Sequence, residues 1–188
     1  MERSILFLGP VGAGKTEAVR TLSDIEVVDT DAEATDDTTQ LKRHTTVAMD
    51  MGVIGLDGRD RIRLYGAPGQ DRFDFMWDIL LDQSEGVILL IDHSREDPLS
   101  DLEHYLEQLQ ARMGERPCPL VLGVTHVDLC PQRSLRPYRR YLERRARWDG
   151  ACRLPVLEAD ARDRQDMKML LLTLVSMLEM RERFPRPA

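Results

Sequence analysis

Aromatic residues and cysteines are scarce in this chain. Only 5% of its 188 residues are Phe, Trp or Tyr, and it holds three cysteines. Cys118, Cys130 and Cys152 are odd in number and lack the paired spacing of a metal site. Neither a disulfide framework nor a zinc module is expected, and reduced thiols filling the core are. His44, His93, His104 and His126 show no ligand spacing, so no transition-metal site is expected. No apolar run is long enough to span a bilayer, and no signal peptide, myristoylation glycine or prenylation box is read. The expectation is a soluble cytoplasmic protein with no direct membrane anchor. A basic excess is missing too: 33 acidic against 26 basic residues leave a net charge of −7, which argues against nucleic acid as a partner.

What the chain does have is a phosphate-binding loop. Gly9-Pro10-Val11-Gly12-Ala13-Gly14-Lys15-Thr16 fits G-x-x-x-x-G-K-[ST] and directly follows the apolar run Ile5 to Leu8. Glycines let backbone N–H groups turn inward on phosphate oxygens, and the helix that follows offers its positive end to the anion. Gly12, Ala13, Gly14, Lys15, Thr16 and Glu17 form the expected phosphate-binding set. Lys15 would reach the β- and γ-phosphates and Thr16 would ligate Mg²⁺. A plain Gly-rich turn is the alternative, and the strand, loop, Lys and Thr in register oppose it.

The length and 42% hydrophobic content suit one domain spanning 1–188. Strands are expected at Ile5 to Leu8, Thr46 to Ile54, Arg61 to Tyr65, Val87 to Ile91, Leu120 to Val124 and Leu154 to Leu157. Ile25 to Val28 is a transitional extended piece, and Asp57-Gly58 marks a hairpin turn between the second and third strands. Helices are expected at Thr16 to Leu22, Leu99 to Met113, Leu135 to Trp148 and Asp166 to Met180. The alternation predicts an α/β fold with a mostly parallel six-stranded sheet and one antiparallel edge hairpin. Ligands in such sheets sit at the carboxyl ends of the strands. The polar run Asp29 to His44 is too long for an idle connection.

After the third strand, Gly66-Ala67-Pro68-Gly69-Gln70 can place the Gly69 N–H on a γ-phosphate and the Gln70 amide on an attacking water. With this motif the chain resembles the Ras-like small GTPases over nearly its whole length, which implies a three-layer P-loop NTPase fold. Thr46 matches the family's Mg²⁺-binding, γ-phosphate-sensing threonine, with Thr45 the close competitor. Thr125-His126-Val127-Asp128 stands at the Asn-Lys-x-Asp base motif, and Asp160-Ala161-Arg162 at the Ser-Ala-Lys motif. Pro68-Gly69-Gln70 followed by Arg72-Phe73 and Met76-Trp77-Asp78 looks most like the bacterial gliding-motility polarity and signalling-operon GTPases. The resemblance implies GTP/GDP and Mg²⁺ as ligands, a slow GTPase switch with Lys15 and Gln70 in catalysis, and regulatory and effector proteins as partners. A Roadblock-type dimeric regulator is among the implied partners, and the protein itself is expected to be a monomer or weak dimer.

Several residues depart from the family pattern. Gly66 stands where most relatives have an Asp supporting Mg²⁺, so another group is needed to complete the metal site. Val11 replaces a glycine that leaves room for an incoming arginine. Thr125 and His126 remove an amide and an alkyl stem from the base site, while Asp128 keeps two acceptors that suit guanine N1–H and N2–H₂ and oppose adenine N1. The alternative for Asp128 is a helix N-cap.

Arg43, three residues before Thr46, sits at the spacing of the cis arginine of heterotrimeric G-protein α subunits. It is either a catalytic charge or a solvated loop residue. Phe73 to Leu81 reads equally as a nucleotide-dependent partner surface or as core. The seven arginines between Arg133 and Arg147 read as a solvated face or an anionic-partner surface. Rival functions are a scaffold that binds nucleotide without turnover and, opposed by Gly69-Gln70 and Asp128, a P-loop kinase.

Overall fold

The computed structural model describes residues 2–29, 49–56, 60–69, 75–113, 118–145 and 154–184. The strands are β1 (Glu2–Leu8), β2 (Val28–Asp29), β3 (Asp50–Gly55), β4 (Arg61–Gly66), β5 (Gly86–Asp92), β6 (Leu120–Thr125) and β7 (Val156–Glu158). The helices are α1 (Lys15–Leu22), α2 (Phe75–Gln83), α3 (Pro98–Met113), α4 (Arg136–Arg144) and α5 (Arg164–Arg183). The sheet runs β2-β3-β4-β1-β5-β6-β7, parallel from β4 to β7. The six expected strands form the α/β, mostly parallel sheet. The transitional piece adds a two-residue strand, β2, antiparallel to β3 at the edge.

Alternation along the central strands explains the layers. Ile5 and Phe7 of β1, Ile88 and Leu90 of β5 and Val121 of β6 face α1 and α5, where Val19, Leu22, Leu170 and Leu174 close over them. Leu6, Leu8, Val87, Leu89, Ile91 and Leu122 face the other way, toward Trp77 and Leu80 of α2, Leu102 and Leu106 of α3 and Tyr138 of α4. A strand buried on both faces needs apolar residues at every position, which is why these runs show no polar alternation.

Local chemistry sets the ends. Asp163 starts α5 by accepting the Gln165 and Asp166 N–H groups at 2.6 and 3.2 Å, a side-chain cap that satisfies donors the helix leaves open. The β3–β4 hairpin is antiparallel as expected and is drawn shut by the Leu56 N–H donating to the Asp60 carbonyl at 2.9 Å. Its turn residues 57–59 lie outside the described residues.

One open reading is narrowed and two expectations need correction. α2 is a helix that no periodicity announced, and Trp77 and Leu80 are 3% exposed within it. Trp77 stacks on Tyr105 at 5.1 Å between ring centroids, beneath the Arg112 guanidinium, so both side chains belong to the core and Ile79 faces solvent. α4 stops at Arg144, short of Trp148, because Arg145 turns extended while its guanidinium reaches Tyr141 and Gln110. Cys118 and Cys130 form no disulfide and are only half-buried, Cys118 against the edge of the core, whereas Cys152 lies outside the described residues.

The contact between α5 and β6 is close. A Cβ on Gly123 would come within 2.8 Å of the Leu170 Cδ1 atom. Leu170→Ala should therefore open a cavity where the sheet cannot collapse and lower the unfolding free energy by about 3 kcal/mol in urea titrations. A loss below about 1 kcal/mol would contradict this packing.

Candidate functional site

The loop after β1 turns where only glycine fits. Gly9 has φ 141°, and a Cβ there would sit 2.1 Å from the Leu90 carbonyl oxygen of β5. The chain then passes through Gly14 (φ 91°) into α1, whose first residue is Lys15. The Lys15 ammonium donates to the Gly9 and Pro10 carbonyls, both at 2.7 Å, and is buried. Burial pulls its pKa down to about 8, with the charge of Asp50 opposing the shift.

Asp50 is the residue that sequence reasoning missed. It stands on β3 directly opposite Gly66 of β4, and its Oδ2 accepts the Thr16 hydroxyl at 2.6 Å. A Cβ on Gly66 would meet the same Oδ2 at 2.9 Å. The carboxylate absent at Gly66 is therefore supplied from the neighbouring strand, in space that a side chain at 66 would contest. The signal was available: a hairpin folded symmetrically about Gly58 puts Asp50 opposite Gly66, and an acidic residue beside a phosphate loop calls for a reason.

Gly69 follows β4 and lies against the phosphate loop. A Cβ there would be 2.7 Å from both the Lys15 Nζ and the Val11 N atoms. The Val11 side chain points outward and is 57% exposed. Arg43, Thr45, Thr46, Gln70 and Arg72 lie outside the described residues.

Beside the phosphate loop, at the same amino-terminal end of α1, a cavity of about 360 Å³ is walled by Gly14 and Glu17, by Thr125, His126 and Asp128, and by Asp160, Ala161 and Arg162. Each of these was named from the sequence, and its size suits a small organic ligand. The buried Thr125 hydroxyl is directed at the Ala13 carbonyl (3.1 Å) and the Ile91 carbonyl (3.3 Å), so it ties β6 to the phosphate loop. His126 adopts φ 55°, with Nδ1 3.2 Å from Asp92 Oδ1. Asp128 lies in a 3₁₀ turn, Val127–Leu129, and caps no helix; α4 begins after Leu135 without a side-chain cap. Its carboxylate is half exposed and 3.8 Å from Arg162 Nη2.

The Asp160-Ala161-Arg162 turn is pinned from three sides. Asp166 accepts the Asp160 N–H at 2.9 Å, Thr21 donates to the Ala161 carbonyl at 2.8 Å, and the Asp163 N–H donates to the Asp160 carbonyl at 2.9 Å. Arg162 holds the Asp160 carboxyl at about 2, below the usual carboxylate range.

A phosphate loop at the carboxyl end of a central parallel strand, with a walled cavity beside it, defines a nucleotide-binding P-loop domain. Over residues 24–186 the chain matches the model of a family described as conserved hypothetical ATP binding protein, and it belongs to that family. It is also similar to Ras-related protein Rab-18-B of Danio rerio, 28% identical over 109 residues, or 56% of this chain and 47% of the relative. The match thus spans about half the length of that curated relative. No helix among the described residues is long and apolar enough to cross a membrane.

Lys15 links nucleotide binding to protons. Between pH 8 and its unfolded pKa near 10.5 the folded, ligand-free chain carries less charge on this group than the unfolded chain. Its burial thus penalises folding below pH 8, and the penalty fades as pH rises through that window. Phosphate oxygens favour the ammonium, so nucleotide binding at pH 8.5 should take up protons, and affinity should fall as pH rises further. Calorimetry in two buffers of different ionisation enthalpy reads this directly. Buffer-independent heats, or equal uptake in Lys15→Met, would contradict it.

Proposed function

We propose that this protein is a GTP-binding molecular switch that hydrolyses GTP slowly and binds partners according to its nucleotide. The observation that carries the reading is the half-exposed Asp128 carboxylate, in one cavity with the start of α1 and the Asp160-Ala161-Arg162 turn. Two acceptor oxygens there suit the N1–H and N2–H₂ edge of guanine. Adenine would set its N1 acceptor against them and leave the carboxylate, covered by the bound ring, unpaired, at a cost of about 1–3 kcal/mol. The family's descriptive name says ATP, so this chemistry is the reason to prefer GTP here.

The residues present fit Mg²⁺. The Thr16 proton is committed to Asp50, which leaves the hydroxyl lone pairs free for a cation, and a carboxylate lies in reach without any acid at Gly66. Thr16 and Thr46 would hold the ion, with Asp50 behind Thr16. When bound it would neutralise charge on the β- and γ-phosphates.

Catalysis then rests on positioning and charge. Lys15 leaves its two carbonyl partners for the phosphates. Gln70, one residue beyond the closely packed Gly69, orients the attacking water, and Arg43 supplies a further positive charge. The motif spacing supports both roles. Val11 stands where a glycine would leave room for the glutamine, which supports slow unaided turnover, and a partner accelerates it.

The reading extends to one domain over 1–188, a monomer or weak dimer in the cytoplasm, with regulatory and effector proteins as partners and no nucleic acid. The Gly69-Gln70 switch supports a setting in bacterial polarity, motility or signalling and a Roadblock-type dimeric regulator.

Phosphate release by the purified protein tests the activity. Mg²⁺ and GTP should give turnover on the order of 10⁻⁴ to 10⁻³ s⁻¹, ATP far less, and Gln70→Leu at least about ten-fold less than wild type. GTP bound without release at any partner concentration would leave a scaffold instead. Asp50→Asn should raise the Mg²⁺ concentration for half-maximal turnover by about ten-fold. An unchanged Mg²⁺ titration would remove Asp50 from the metal site.

A further inference from the structure

Two carboxylates in the base cavity lie within reach of one guanidinium. Asp160 has it: Oδ1 accepts the Arg162 backbone N–H at 2.9 Å and Nε at 2.9 Å, while Oδ2 takes Nη2 at 2.7 Å and Nε at 3.2 Å. Asp128 is the runner-up, with Oδ2 3.8 Å from the same Nη2. Arg162 also feels the negative charge of Glu17, and Asp160 the charge of His126, but neither makes a closer contact with the pair.

The position of Arg162 matters because a guanidinium and a guanine offer a carboxylate the same thing. Each presents a planar fork of two N–H donors, and Asp128 has one pair of oxygens to receive it. An arginine seated on Asp128 is a competitor for the nucleobase, held at high effective concentration because it belongs to the same chain. Adenine sets its N1 acceptor against the Asp128 oxygens, so an arginine seated there eases its penalty and does not compete with it.

We propose that Asp160 is a specificity-determining positioning residue, which keeps Asp128 open to guanine by holding Arg162 away from it. The proposal rests on the guanine reading of Asp128 above. It gives the acidic residue at 160 a purpose that a plain turn-former would not serve. The turn needs only the Oδ1 acceptor for the Arg162 N–H, whereas the second oxygen and the negative charge act on the guanidinium. The depressed pKa of Asp160 keeps that clasp ionised throughout the neutral range.

The test is a double-mutant cycle read by fluorescent GDP and ADP binding in Mg²⁺, on wild type, Asp160→Asn, Arg162→Ala, the double variant and Asp128→Ala. Asn at 160 keeps the Oδ1 acceptor, so the turn is preserved while the charge is lost. Asp160→Asn should lose about ten-fold more affinity for GDP than for ADP. Adding Arg162→Ala should return GDP binding to within about three-fold of Arg162→Ala alone. Equal losses for GDP and ADP, a silent Asp160→Asn, or a loss that survives in the double variant would each overturn the proposal while leaving the Asp128 reading intact. An unchanged GDP-to-ADP ratio in Asp128→Ala would instead overturn the guanine reading, and this proposal with it.

Discussion

The whole site depends on how closely β1 runs beside β5. Where β1 ends, Gly9 passes within a distance of the Leu90 carbonyl that no side chain could share. The chain turns there with a positive φ, and the turn delivers Lys15 as the first residue of α1 rather than deeper within it. Because β1 is central, flanked by β4 and β5, the same turn opens toward both neighbours. Gly69 approaches from the β4 side, and Thr125 binds the loop from the β6 side. Crowding along one strand thus fixes where a phosphate could be met.

The carboxylate beside the P-loop hydroxyl comes from an unexpected strand. A carboxylate near the P-loop hydroxyl can come from β4 itself or from the strand paired to it, since directly opposed residues in an antiparallel pair lie about 5 Å apart. Here it comes from β3. Asp50 and a side chain at 66 would claim the same volume, so the glycine and the aspartate must be read together. The consequence is mechanical: the acid now rides on the strand that follows the acidic loop, rather than on the strand that leads to Gly69. Any shift of β3 relative to β4 would change the partner of Thr16.

Sequence reading recovered what rests on local pattern and on motif spacing. The double-sided burial of β1, β5 and β6 was legible in their unbroken aliphatic runs, and motif spacing had named every residue that walls the cavity from Gly14 to Arg162. It failed where the deciding fact was a contact across strands or between helices. Asp50 stood only as one position of the expected strand Thr46 to Ile54 until the hairpin register put it opposite Gly66. Phe75 to Leu81 is apolar on nearly every side, so no helical face stood out, and only packing against Tyr105 reveals which residues are inside. Thr125 was read as a poor substitute for a base-contacting amide. Its hydroxyl is occupied by the Ala13 carbonyl, which makes it a tie between the two halves of the site.

That tie and the Gly69 approach together suggest why occupancy of this loop cannot be a local event. The Lys15 ammonium satisfies itself on two backbone carbonyls, and its burial already costs it protons. Moving it onto phosphate oxygens exchanges dipoles for full negative charge, a strong preference in a dry site. Yet the Gly69 backbone lies against the same ammonium, so the move and the position of Gly69 are coupled by excluded volume. Five residues separate Gly69 from the first turn of α2, whose Trp77 is locked beneath Arg112. Any shift of Gly69 that the ammonium forces is thus made close to a helix already fixed in the core.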